Sequence, residues 1–187
     1  MSEFSGAVFV TILYTDRLIL RQFQDRDLDA YAAMSSDPEV MRYIGTGRTL
    51  SREESWRSMA MLLGHWQLRG YGLWAVESKA SGEFLGRVGL WNPAGWPGLE
   101  VGWALRRSAW GQGFATEAAR AAVNYGFELL QQSEIISLIR PENTASIRIA
   151  ERLGAKPHEE IEVFGSAAIC YRLDRQTWQA SVARGAK

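Results

Sequence analysis

Histidine and cysteine are nearly missing from this chain of 187 residues, which holds two histidines, His65 and His158, and one cysteine, Cys170. A His-rich metal site or a Cys/His zinc cluster would have to lean almost wholly on carboxylates, which argues against metal catalysis. One cysteine allows no internal disulfide. Cys170 sits in the apolar run Ala167-Ala168-Ile169-Cys170-Tyr171, where a lone thiol behaves as a small buried hydrophobe. Surplus charge is lacking as well: 21 Lys plus Arg balance 21 Asp plus Glu, so the clustered positive excess that holds a nucleic-acid backbone is absent. No window of about 20 apolar residues exists to span a membrane. The stretch 7–13 is too short for a signal peptide and has no basic region before it. The Gly-x-Ser-x-Gly turn of a Ser-His-Asp hydrolase is missing too. The expectation is a soluble cytoplasmic chain with neither nucleic acid nor membrane as partner.

What is present is apolar and aromatic. At 47% hydrophobic residues with eight tryptophans, the composition excludes disorder, and the length suits one domain. Residues 1–14 read as an extension or a short extra strand, and 15–180 as a single domain. Arg17 to Arg21 has strand character, and a helix opens at Asp25 with acidic residues in its first turn and ends before Asp37-Pro38. Ser51-Arg52-Glu53-Glu54 is a capping box, predicting a long amphipathic helix to about Arg69 packed through Trp56, Met59, Leu63 and Trp66. Runs 72–77 and 84–91 predict a hairpin. Leu99, Val101, Trp103 and Leu105 then alternate with Glu100, Gly102, Ala104 and Arg106, the period of a strand with two different faces. A glycine turn, Trp110-Gly111-Gln112-Gly113, leads into a helix with alanines at 115, 118, 119, 121 and 122. A strand at 135–139, a helix at 143–153 ending at Gly154 and a strand pair at 161–164 and 167–173 complete the pattern.

A glycine turn opening a helix aims unpaired backbone N–H groups and the positive end of the helix dipole at one point, where a phosphate can sit. A nucleoside triphosphate site of the Walker type needs Gly-Lys-Ser/Thr, and this chain has Gly113-Phe114-Ala115. A dinucleotide site would want glycine where Thr116 stands and an acid where Arg140 stands. A tight turn with no ligand is the remaining plain reading.

The run from Gly102 to Ala122 resembles the acetyl-coenzyme A segment of the GCN5-related N-acetyltransferases (GNAT), whose pattern is Gln/Arg-x-x-Gly-x-Gly/Ala. Gly113 and Ala115 fill the Gly and Gly/Ala positions, and Trp110 departs from Gln/Arg. The stretch Trp110-Gly111-Gln112-Gly113-Phe114-Ala115-Thr116-Glu117 is nonetheless similar to the branch of ribosomal-protein N-terminal alanine and serine acetyltransferases. Residues 15–21, 36–41, 143–146 and 152–155 resemble further segments of that branch in the same order. The resemblance implies an α/β (α+β) GNAT fold, a mixed central sheet of about six to seven strands with helices on both faces.

It further implies acetyl-CoA as co-substrate, no metal, and direct transfer of acetyl to a primary amine, either a peptide or protein N-terminus or a small amine. The pyrophosphate would lie on the backbone N–H groups of Gly111, Gln112, Gly113, Phe114 and Ala115, with the Thr116 hydroxyl and the charge of Arg106 or Arg107 added. The pantetheine arm would run beside Trp103, Ala104 and Leu105. Glu100 is the candidate base, with an ordinary cross-strand glutamate as the other reading. Asn143 would reach the cofactor, cap a helix, or do both. Ala150 stands where many members carry a tyrosine that protonates the leaving thiolate, so Ser146 is the substitute candidate, beside the plain reading of a helix-surface serine. The acceptor would enter between residues 37–44 and the turn near Phe164 and Gly165, with Glu159, Glu160 and Glu162 either attracting a cation or merely solvated. The missing tyrosine leaves open a non-catalytic acyl-CoA sensor or degenerate paralogue. Exposed tryptophans would support a homodimer.

Overall fold

Capping chemistry sets where each element begins. The computed structural model describes residues 11–185; residues 1–10, most of the supposed extension, lie outside the described residues. In chain order the elements are β1 (Leu13–Tyr14), β2 (Leu18–Arg21), α1 (Leu28–Ser35), α2 (Pro38–Met41), α3 (Arg52–Arg69), β3 (Leu73–Ser78), β4 (Phe84–Trp91), β5 (Glu100–Leu105), α4 (Phe114–Glu128), β6 (Glu134–Ile139), α5 (Thr144–Leu153), β7 (Lys156–Val163), β8 (Ser166–Asp174) and α6 (Arg175–Gly185). The Asp37 carboxylate accepts from the Glu39 N–H and starts α2 at its proline. Ser51 and Glu54 form the reciprocal capping box of α3, worth about 1 kcal/mol, and Gly70 ends that helix in the left-handed region.

The strands form one sheet of eight in the order β1-β2-β3-β4-β5-β6-β8-β7. All neighbours run antiparallel except β5 and β6, whose parallel ladder is a single residue pair, Glu100 with Ile136. Beyond that pair side chains replace the ladder: the Ser137 hydroxyl donates to Val101 O at 3.0 Å, and the Leu138 N–H donates to the Glu100 carboxylate at 3.4 Å. The sheet is thus split into two halves that separate at β5 and β6. Each face carries a core. Trp74, Val88, Leu90, Val101 and Phe127 belong to the cluster on the α4 side, while Tyr31, Met59, Leu62, Ala75 and Ala104 belong to that under α1 and α3. The alternation of β5 therefore sends Val101 and Ala104 to opposite faces.

Four features differ from the sequence expectation. Trp56 is 53% exposed, so of the two α3 tryptophans only Trp66, at 1%, packs into the core. Strand β7 starts at Lys156 rather than Ile161, because an edge strand tolerates Pro157 and takes up the misfit as a register shift between Pro157 and Glu159. Helix α6 was not anticipated; the Asp174 carboxylate starts it by accepting the Thr177 N–H at 2.7 Å. The two-residue β1 brings the strand count above six to seven.

Candidate active site

The glycine turn folds as its residues require. Gly111 and Gly113 have φ of 74° and 80°, a region that costs other residues about 1–2 kcal/mol, and Gly113 caps the start of α4. The first intrahelical bond comes from Glu117 to Gly113 O, which leaves the N–H groups of Phe114, Ala115 and Thr116 without helical acceptors. Arg17 fixes this turn from outside. Its guanidinium meets the Glu117 carboxylate at 2.6 Å, donates to Gln112 O at 3.0 Å and lies 4.5 Å from the centre of the Phe114 ring. Burial alone would raise the Glu117 pKa, but the Thr15 hydroxyl and the Arg17 amide and guanidinium hold it below the ordinary glutamate range.

A cleft of about 440 Å³ opens at this turn. Of the residues anticipated for cofactor binding, Trp103, Ala104, Leu105, Gly111, Gly113, Phe114, Ala115, Thr116, Asn143 and Ser146 line it. Arg106 and Gln112 do not: Arg106 pairs with Glu83 at 2.9 Å, and the Gln112 side chain turns back to Ser108 O. Arg107 pairs with Asp37 at 3.2 Å. The cations in the cleft wall are instead Arg42, Arg148 and Arg152, which sequence reasoning missed. Arg148 and Arg152 repeat every four residues along α5, a spacing that puts both on one helix face and was the available signal.

A second cavity, of about 300 Å³, lies across the sheet split and shares Tyr43, Ile44, Trp103, Asn143 and Ser146 with the cleft. At this junction the Trp103 indole N–H donates to the Ser146 hydroxyl at 3.1 Å. The Asn143 side-chain oxygen accepts the Ser146 N–H at 3.2 Å and so caps α5, while the residue borders both spaces. Ile44 and Phe164, from the two regions expected to admit the acceptor, line the second cavity.

Glu100 stands in that cavity's wall, where its carboxylate accepts from the Trp96 indole N–H at 2.8 Å and from the Leu138 N–H at 3.4 Å. Burial pushes its pKa up to about 7 even though both donors and the Arg87 charge pull the other way. The residue is partly exposed, and its open side faces the cavity. A carboxyl poised near neutrality can hold or release a proton at working pH.

Neither histidine is placed for catalysis. His65 is buried, stacks on Trp91 at 4.4 Å, and has both ring nitrogens used by Tyr71 O and the Asn92 N–H; burial lowers its pKa. His158 is on edge strand β7 beside Glu159, which pairs with Arg172 at 2.6 Å. Cys170 is buried and its thiol is pushed up by burial, the reverse of an activated nucleophile. Among the described residues no group of three or more His, Cys, Asp or Glu is arranged to hold a metal, and no helix is long and apolar enough to cross a membrane.

The family model for the acetyltransferase (GNAT) domain matches residues 17–156. The chain belongs to the GNAT acetyltransferase family. Among its relatives, YkkB of Bacillus subtilis is 38% identical over 77% of this chain and 84% of that one. The N-acetyltransferase YoaA of the same organism is 33% identical over 76% and 81%. An acetyltransferase from Agrobacterium tumefaciens superposes with a TM-score of 0.78 at 28% identity, covering 88% of this chain and 95% of that one. Mycobacterium smegmatis RimJ, solved in complex with CoA-disulfide, shares the fold at a TM-score of 0.73 and 20% identity, covering 94% of each chain. In this GNAT acetyltransferase the glycine turn, the split between β5 and β6 and the Asn143 cap thus occupy one continuous site.

Proposed function

We propose that this GNAT chain transfers acetyl from acetyl-CoA directly to a primary amine, with donor and acceptor meeting at Trp103 and Ser146. The observation that carries this reading is the junction of two cavities at those residues, one opening on unpaired helix N–H groups and the other holding Glu100. The CoA bound to RimJ and the N-acetyltransferase name of YoaA agree with it. The N–H groups of Phe114, Ala115 and Thr116 bind the pyrophosphate, with Arg148 and Arg152 adding charge. Glu100 removes a proton from the amine, directly or through water, and the neutral nitrogen forms a C–N bond with the acetyl carbon. The free N–H groups of β5 facing the split stabilise the carbonyl oxygen as it gains negative charge. The C–S bond then breaks, the Ser146 hydroxyl donates a hydrogen bond to the departing thiolate, and the second proton shed by the new amide nitrogen passes to that sulfur, releasing free thiol.

Release of free thiol from acetyl-CoA, followed across a panel of peptide N-termini and small amines, tests the proposal. Acceptor-dependent release is expected. Tight CoA binding with no acceptor-dependent release across the panel would identify a sensor instead.

A further inference from the structure

Arg87 is half-buried on β4 and makes no hydrogen bond or ion pair with any described residue, although its charge is felt at Glu100. It faces Ala104 across the ladder, and two more cross-strand pairs follow on the same face: Gly89 with Gly102, then Trp91 with Glu100. The glycine pair carries no side chains, and Gly102 lines the cavity between Arg87 and Glu100, whose strand positions are four residues, about 13 Å, apart. No heavy atom beyond its chain neighbours lies within 4 Å of where a Cβ on Gly102 would stand. Trp91, Trp96 and Phe164 wall this space, and its charged lining residues are Glu100, Arg87 and Arg140. Arg140 is occupied by Gly45 O at 2.7 Å. Past Arg87 the space adjoins a further chamber of about 220 Å³ that the same guanidinium borders.

A guanidinium partly removed from water among aromatic walls carries a desolvation cost that an oxyanion partner offsets. Its planar fork matches a carboxylate in bidentate fashion. We infer that the acceptor is a small amine that also bears a carboxylate: Arg87 holds the anion, an apolar or aromatic body lies over the open floor at Gly102, and the amine reaches Glu100. The amine end rests on the acetyl-transfer reading; the anion site does not.

Two measurements separate these. In the first, 3-phenylpropionate, which has no amine to acetylate, is titrated against the protein beside uncharged 3-phenylpropanol, with tryptophan fluorescence and ligand-observed NMR as readouts. The acid is expected to bind at least about tenfold more tightly, as one charge-assisted pair is worth. Arg87→Met removes that difference and Arg87→Lys keeps part of it, with thermal unfolding confirming that each variant folds. In the second, kcat/KM for 3-(4-aminomethylphenyl)propionate, whose amine and carboxylate stand at opposite ends of an aromatic body, exceeds that for 4-propylbenzylamine by a similar factor, mainly through KM, and the preference is lost in Arg87→Met. Equal binding of acid and alcohol, a preference that survives in Arg87→Met, or tighter binding of 2-phenylethyl phosphate than of the acid overturns the carboxylate assignment. Arg87-dependent binding of 3-phenylpropionate with no thiol release from any amine sinks the transfer reading and leaves the anion site standing.

Discussion

The Trp103 indole N–H and the Ser146 hydroxyl oxygen meet at 3.1 Å across the mouth of the sheet split, one from β5 and the other from α5. Because the serine oxygen accepts this bond, its own proton is free to point elsewhere, and the junction with the donor cleft is where a departing thiolate would need it. Ser146→Ala is therefore expected to slow single-turnover acetyl transfer about three- to tenfold, the net value of one ordinary hydrogen bond, while CoA affinity changes little. Trp103→Phe keeps the apolar ring and loses only the orienting donor, so its loss should be smaller. An unchanged single-turnover rate in Ser146→Ala would assign thiolate stabilisation to another group.

Glu100 has its pKa raised by burial to about 7, and that has two measurable consequences. As a base it must be ionised, so kcat/KM should rise with pH through about 7, and Glu100→Gln should lose about 100-fold in turnover with nearly normal CoA affinity. The second concerns folding. A carboxyl whose folded pKa lies above its unfolded value favours the folded state at low pH, and that contribution is lost as pH rises through the folded value. Glutamine does not titrate. Relative to wild type, Glu100→Gln should thus gain about 3 kcal/mol of stability between pH 4 and pH 9, read from denaturant melts at each pH. A stability difference independent of pH would mean that the carboxyl is not desolvated.

The glycine turn, the helix start after it and the Asn cap were legible in the sequence because they are local devices: φ, N–H direction and capping depend on residues a few positions apart. Gly111, Gly113 and Asn143 stand where their types required. The pairing of Arg106 was not legible because its partner Glu83 is 23 positions away, and no local rule tells an arginine facing a cleft from one held in an ion pair. Likewise the acceptor cavity draws on the segment after α2, β4, β5 and the turn between β7 and β8, whose proximity only the sheet order supplies. Trp56 looked like a core residue from its spacing, yet it stands about half exposed on α3, at 53%.

Arg17 and Glu117 are 100 residues apart and lock the glycine turn to the start of β2. Arg17 is half exposed, so removing it should cost about 1 kcal/mol or less in stability. Its larger effect should be on order in the turn, and we expect Arg17→Ala to weaken CoA binding about three- to tenfold through lost preorganisation. Calorimetric titration with CoA, alongside a thermal melt, separates the two; a stability loss with unaltered affinity would make the pair purely structural.

The cations that serve the cofactor are expected to be those in the cleft wall. Arg148→Gln should raise the CoA dissociation constant about tenfold and flatten its dependence on salt, because one charge-assisted contact is lost. Arg106→Gln, which only breaks an ion pair with Glu83, should leave CoA affinity within error. The opposite ranking would return the phosphate to the turn after β5.

Gly102 offers a way to block the acceptor without touching the phosphate turn. Its backbone runs in β5 next to Trp103, but the space where a side chain would stand belongs to the cavity under Glu100 and Arg87. Valine suits a strand, so Gly102→Val should fold normally while two methyl groups occupy the bare floor. The expected result is an amine KM raised about tenfold or more, with the CoA dissociation constant within about twofold of wild type, because only substrate volume is removed. Should CoA affinity fall in step with KM, the floor would have to be reassigned to the pantetheine arm, and Arg87 would then border the donor rather than the acceptor.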